Sequence, residues 1–312
     1  MEQWLTNFTQ EMQRLLGYSP TTAKAYVSDV RQFLHYLAKH RETPPLPAAV
    51  KADDVLDFLQ AEVAAGRRRA TLHRRVASLR VLERYLLLTG QIQRAFMPSD
   101  EQILAALEGS AASHTTGCLT TAELRRLWQT LLASPKRQAH RDLALMALMV
   151  EWGFPVGTLL KLRVQHVDLQ ARELWTPLAS GTLERWPLDY AYGPLWHYVT
   201  HGRADLGVTE QTDCLFVSQQ NRGLSRQSVW HSLRVWGQQA GLHKVLNPRM
   251  LRTTAAYRMM LAGVPPQTIG MAMGHSNPLS TTVLLYRLKQ HCGHIQTLEL
   301  PRVPTEDNAS HL

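Results

Sequence analysis

Two arginines, a histidine and a tyrosine between Leu246 and Tyr286 are the side-chain types that attack on a phosphodiester requires. Arg249 and Arg252 stand three residues apart, His275 follows, and Tyr286 comes eleven residues after the histidine. Guanidiniums neutralise and orient a phosphate through paired donors. An imidazole donates a hydrogen bond or a proton. A phenol supplies an oxygen nucleophile that can form a covalent intermediate. Pro248 opens a helix over 248–262 that places both arginines on one face. The Gly263–Pro266 turn leads to a short helix over 265–273, which Gly274-His275-Ser276 ends. Ser280-Thr281-Thr282 then starts one more helix, which carries Tyr286.

The rest of the chain must hold that segment. Trp4, Leu5, Phe8, Met12, Leu15 and Leu16 recur at helical spacing over 2–16, and Gly17 ends that helix. Ser19-Pro20 gives an N-cap and a first-turn proline for a second helix to Lys39. A Pro-rich loop over 43–47 separates it from a third helix at 52–65, and a fourth runs over 70–88 to Gly90. Residues 93–118 read as a linker, punctuated by Pro98, Gly109 and Gly117, with a short helix near 100–107. Thr120 and Glu123 form a capping box for a helix over 121–133, followed by one at 138–152. Alternation over 172–190 predicts a small sheet, and helices follow at 191–202 and 225–240. The fold class is mainly α with a small β-sheet. The expected division is a four-helix domain at 1–92, the linker, a second domain at 119–300 and a tail at 301–312.

A formal net charge of +9 favours a polyanionic partner, nucleic acid first. The fourth helix carries Arg67, Arg68, Arg69, Arg74, Arg75, Arg80 and Arg84 against one acid, Glu83. Such a run is either a solvated face or a phosphate-binding one, and Arg74 and Arg75 alternatively read base edges. Cys118, Cys214 and Cys292 lie too far apart for a disulfide framework or a zinc site. A metal role for His291, Cys292 and His294 lacks a fourth ligand, so neither metal nor cofactor is expected. No apolar run is long enough to span a bilayer, and the first residues do not read as a signal peptide. A cytoplasmic, nucleoid-associated protein is expected.

The C-terminal half resembles a tyrosine recombinase of the phage-integrase family, closest to the Xer type. Leu251-Arg252, Gly274-His275-Ser276 and Ser280-Thr281-Thr282 match the family's Leu-Arg, Gly-His-Ser and Ser-Thr-Thr motifs. Upstream, Leu215–Ser218 and Ser225–Trp230, which includes Arg226, are similar to the strand end and helix before the first of these. The resemblance implies an N-terminal SAM-like core-binding domain that clamps one face of a DNA duplex. It also implies a catalytic-type domain that cleaves DNA through a 3′-phosphotyrosine, and a tail that often docks on a neighbouring protomer, for which Leu298 and Leu300 qualify.

Several positions depart from the family pattern. The catalytic arginine position holds Pro155, and the nearby glutamate position holds Thr158. The catalytic lysine position falls on Ala179 or Ser180, and no lysine occurs between Lys161 and Lys244. The box opens on Arg249 in place of histidine, and its third position is Thr253. Counting from Ser280-Thr281-Thr282 puts the family tyrosine at Leu285, one residue before Tyr286. Fixed cationic donors usually supply the largest share of transition-state stabilisation, and losing one costs about 3 kcal/mol. The expected function is therefore duplex-DNA binding with impaired or lost cleavage, in an architectural, accessory or regulatory role. That role implies self-association or an active recombinase partner on DNA. One alternative is an active enzyme rewired around Arg249 and Arg252, with Arg163, Arg185 or Lys161 standing in for the missing groups. The other is a site-specific transcriptional repressor.

Overall fold

The computed structural model describes residues 2–14, 16–40, 49–108, 117–177, 182–208, 212–275 and 278–303. The chain divides into two compact units, Met1–His114 and Thr115–Leu312.

In the first unit, α1 (Glu2–Arg14), α2 (Pro20–His40), α3 (Ala52–Ala64) and α4 (Arg69–Leu88) are followed by α5 (Asp100–Ala106). Ser19 caps α2 by accepting from the Thr22 backbone N–H at 3.2 Å. Phe8 of α1 packs at 5.0 Å from Tyr85 of α4, and Phe33 of α2 at 5.2 Å from Phe58 of α3. Full burial of each such ring contributes roughly 1.5–3 kcal/mol. The expected linker begins later than its composition suggests. Phe96, Ile103, Ala106 and Leu107 are buried in this first core. Glu83 Oε2 accepts from the backbone N–H groups of Phe96 and Met97, both at 2.5 Å, which holds the segment after α4 in place. The 43–47 loop lies outside the described residues.

The second unit is built around α7 (Ala139–Glu151), buried on nearly every side. A helix apolar all round belongs at a core centre. Its polar residues are satisfied there: Asp142 accepts from Arg141 at 2.7 Å and from the Trp236 indole at 2.8 Å. Before it, α6 (Thr121–Leu132) starts at the expected capping box, with Thr120 and Glu123 bonded reciprocally. After it come α8 (Val156–Leu159) and an antiparallel sheet of β1 (Val167–Asp168), β2 (Glu173–Pro177) and β3 (Leu183–Pro187) in that order. The β2–β3 register pairs Trp175 with Arg185. Next, α9 (Tyr192–His197) passes through a π turn at Tyr198–Gly202 into α10 (Arg203–Asp205). The last helices are α11 (Arg226–Gln239), α12 (Pro248–Leu261), α13 (Pro266–Ala272) and α14 (Pro278–Cys292).

Residues after α14 return to their own unit. Ile295, Leu298, Leu300 and Val303 are buried in its core. The Tyr257 hydroxyl donates to the Ile295 carbonyl at 3.0 Å, the Glu299 N–H to Thr121 Oγ1 at 3.2 Å, and Arg302 pairs with Asp189 at 2.9 Å. Leu298 and Leu300 are therefore spent within the chain, where the resemblance implies a docking tail. Residues beyond Val303 lie outside the described residues. Cys118 and Cys292, distant in sequence, bring their sulfurs to 2.8 Å, while His291 turns to the Arg287 carbonyl. The His291–His294 segment thus diverges, and no metal-binding group forms among the described residues. Among the described residues no helix is long and apolar enough to cross a membrane.

Candidate functional site

A cleft of about 630 Å³ opens in the second unit, between α8, the start of α11, α12, the His275 turn and α14. Asn247 accepts from the Met250 N–H at 3.0 Å and so fixes the first turn of α12. The three-residue spacing then brings both Arg249 and Arg252 to the cleft. Arg252 is anchored by its own donors: Nε donates to the Gly153 carbonyl at 2.8 Å and Nη2 to the Met273 carbonyl at 2.5 Å. Burial lowers its pKa from the ordinary arginine value. Gly153 takes φ +75 and has Ala255 and Met273 against it, so a side chain there would displace the carbonyl that holds Arg252.

His275 follows Gly274, whose φ of +66 turns the chain out of α13. Its Nδ1 meets Thr281 Oγ1 at 2.8 Å, which leaves Nε2 for the cleft. Burial, then the neighbouring Arg252 charge, holds this imidazole below its ordinary value. Thr281 is itself buried against Gly270, where a β-carbon would lie 2.7 Å from its hydroxyl. The Ser-Thr-Thr run thus orients the histidine from within the first turns of α14, which starts earlier, at Pro278, than the sequence suggests.

Pro155 lines the cleft with its ring against Gly274 and offers no donor. Tyr286 does not line it; the residue is 64% exposed, and the preceding Leu285 is buried. Val283, Leu284, Arg287, Leu288 and His291 form the cleft face of α14. Leu285, where the count from Ser280-Thr281-Thr282 puts the family tyrosine, does not line the cleft either. Ala179, Ser180 and Ser276 lie outside the described residues. The stand-in cations are engaged elsewhere: Arg163 pairs with Asp213, and Arg185 with Glu173 at 3.5 Å. Lys161 is exposed and, like both of these, does not line the cleft.

Arg226 does line it, lying across Gly157. Sequence reasoning missed Arg287, His291 and Trp230, although 283, 284, 287, 288 and 291 make one helical stripe. Arg226, Arg249, Arg252 and Arg287 thus converge with two histidines, and no carboxylate lines the cleft. The arrangement can hold a phosphate; among the described residues the hydroxyls that line it are those of Ser280 and Thr253, and no phenol does.

In the first unit the arginine run splits. Arg67, Arg68, Arg69, Arg74 and Arg80 are exposed, and Arg67, Arg74 and Arg80 pair with Glu62, Asp29 and Asp100. Arg75 is not on that face. It is buried at 3% exposure, meets Glu62, donates to Gln32 at 2.6 Å and lies over the Phe58 ring. It points inward with Leu72, Leu79 and Leu82 because the helical period puts it on their stripe.

Residues 118–291 match the model of the phage integrase family, and residues 5–90 match the phage integrase N-terminal SAM-like domain. The chain is 28% identical over 284 residues to tyrosine recombinase XerD of Shewanella oneidensis, covering 88% of each. It is 27% identical over 300 residues to tyrosine recombinase XerC of Roseiflexus castenholzii, covering 94% of this chain and 91% of that one. In fold it is similar to the Tn1549 transposon integrase solved in complex with transposon right end DNA. That similarity has a TM-score of 0.70 at 17% identity, over 90% of this chain and 94% of that one. A lambda integrase dimer bound to a core site gives 0.63 at 18% identity, over 91% and 95%. With one family model spanning more than half of its length and a second over its first unit, the chain belongs to the phage integrase family of tyrosine recombinases.

Proposed function

We propose that this chain is a duplex-DNA-binding tyrosine-recombinase homologue without strand cleavage, serving as an architectural, accessory or regulatory factor in recombination. The observation that carries this reading is the content of the cleft. It keeps Arg249, Arg252 and His275, holds Pro155 at the family's arginine position, and leaves Tyr286 outside. Without that donor the transition state loses about 3 kcal/mol, roughly a hundredfold in rate, and without the phenol no covalent intermediate forms. The exposed arginines of α4 and the DNA-bound structures of similar fold support duplex DNA as the partner.

A second reading is an active, rewired recombinase. The shared placement of Arg249, Arg252 and His275 favours it, and it requires α14 to turn by about one residue, roughly 100°. The two separate in a covalent-trapping experiment. A duplex selected by the protein from random sequence carries a nick or a bridging phosphorothiolate, and the mixture runs under denaturing conditions. Binding without an adduct, alone and mixed with an active XerD-type recombinase, is the expected result. An adduct that disappears in Tyr286→Phe establishes the rewired enzyme instead. An effect on the active recombinase's output distinguishes an accessory partner from a plain repressor.

A further inference from the structure

We propose that Cys118 and Cys292 form a redox site, at which a small peroxide oxidises the two thiols to a disulfide that ties the end of α14 to the segment leading into α6. The inference stands apart from whether the chain cleaves DNA.

The chain has three cysteines, and the fold joins two of them across 174 positions of sequence. Their sulfurs lie 2.8 Å apart, and both thiols are free and buried. Each hangs from a fixed stretch of backbone. On the α6 side, the Cys118 carbonyl accepts from Lys244 Nζ at 3.1 Å, and the Leu119 N–H donates to Thr254 Oγ1 at 2.9 Å. On the α14 side, the Cys292 carbonyl accepts from the Ile295 N–H at 2.8 Å, which turns the chain back after the helix. A disulfide needs a sulfur separation of about 2.0 Å, so side-chain rotation closes the remaining gap. Cys292 directly follows His291, which with Leu288 lines the cleft. The bond would therefore fix the helix that forms one cleft wall.

The two thiols are chemically unequal. The Cys118 thiol, donating to it, lowers the Cys292 thiol to about 7; the His291 and Lys244 charges act in the same sense, and burial opposes them. The same bond, and then burial, hold Cys118 above its ordinary value. A thiolate is the group that attacks a peroxide, and a second thiol beside it resolves the product. The Cys292 thiolate attacks one peroxide oxygen, so that an S–O bond forms and the O–O bond breaks. The departing hydroxide takes up a proton and leaves as water. The Cys118 sulfur then attacks the Cys292 sulfur: the S–S bond forms, the S–O bond breaks, and the hydroxyl leaves with the Cys118 proton as a second water. The two thiols lose two electrons and hydrogen peroxide gains them. Because both sulfurs are buried, the peroxide enters when the end of α14 opens locally. The Tyr257 hydroxyl, bonded to the Ile295 carbonyl at 3.0 Å, holds that end closed.

The experiment uses the full chain with Cys214→Ser, which leaves only the paired thiols. It is treated with hydrogen peroxide, blocked with N-ethylmaleimide and analysed by intact mass and peptide mapping. We expect both thiols to disappear together, a mass loss of about 2 Da and a peptide joining Cys118 to Cys292 within one chain, all reversed by dithiothreitol. Hydrogen exchange of α14 peptides should slow about tenfold on oxidation and recover on reduction. With Cys118→Ala added, Cys292 should stop at the sulfenic acid and be trapped by dimedone. Tyr257→Phe should speed the oxidation severalfold, and an unchanged rate overturns the route by local opening. Oxygen addition without the internal cross-link, or a cross-link that forms no faster in the folded chain than in urea, overturns the inference. So do two thiols that stay reduced at a peroxide level that oxidises Cys214 in the wild-type chain.

Discussion

Arg75→Ala is the substitution that most directly tests the reassignment of the α4 arginines. In the sequence Arg75 looks like its neighbour Arg74; in the structure it is a buried strut joining α2, α3 and α4. Its guanidinium meets Glu62, donates to Gln32 at 2.6 Å and lies 4.0 Å from Asp29. Breaking one side of a buried pair costs about 3–5 kcal/mol. Two features place this case at the lower end. Asp29 keeps Arg74 at 2.6 Å and Ser78 at 2.9 Å, so its carboxylate stays paired, although burial holds it above the ordinary value. The Glu62 side chain is 16% exposed and can recruit water. The expected loss is therefore about 3 kcal/mol for the first unit. Arg68→Ala, on the exposed face, should stay within about 0.5 kcal/mol. Hydrogen exchange of peptides from α1–α4 in a urea series on the full chain measures both. Glu62→Gln added to Arg75→Ala should recover little, because Glu62 keeps Arg67 at 3.3 Å. The reasoning is refuted if Arg75→Ala keeps wild-type protection while the salt slope of DNA binding falls by about one.

Gly193→Ala places a methyl group on the Val303 carbonyl, so residues 294–303 should detach. The first sign would be faster proteolysis and exchange in that segment, with a destabilisation of about 2 kcal/mol, and unchanged protection there would refute the contact. His275 gives a pH prediction. Its folded pKa lies below its ordinary value of about 6.5, so the fold favours the neutral ring. Its contribution is present above that value and is lost as pH falls below it. The stability gap between wild type and His275→Gln should thus narrow toward acid pH, and the ring's NMR titration midpoint should rise when duplex binds. A midpoint at or above 6.5 in the free protein would contradict this.

The helices were legible because their start and stop signals are local. The Thr120–Glu123 capping box needs only a few adjacent residues and stands where the sequence places it; Gly17 takes a positive φ as a stop signal does, although α1 runs only to Arg14. The Arg249–Arg252 pairing was legible for the same reason, as a three-residue spacing on one helix. What escaped depends on long-range partners. Arg75 belongs to the 72, 75, 79, 82 stripe, but that stripe identifies a core arginine only once Glu62 and Asp29 are known to face it. The reach of Arg226 over Gly157 joins residues far apart in sequence. The direction of Tyr286 is an intermediate case: the one-residue offset was readable, but which residues of α14 face the cleft required the helix to be placed against α12.

The thiol contact between Cys118 and Cys292 and the bond from Glu299 to Thr121 bring the beginning and the end of the second unit side by side. Synthesis runs from one end to the other, and domains fold as units in that order. The first unit has all its partners as soon as residues near 107 have been made. The second must keep α6 waiting through the whole production of α7 to α14, because the groups that cover Cys118 and Thr121 are among the last to emerge. A nascent chain stalled short of residue 303 therefore exposes the apolar seat of Leu298, Leu300 and Val303, and chaperones have most to shield at that stage.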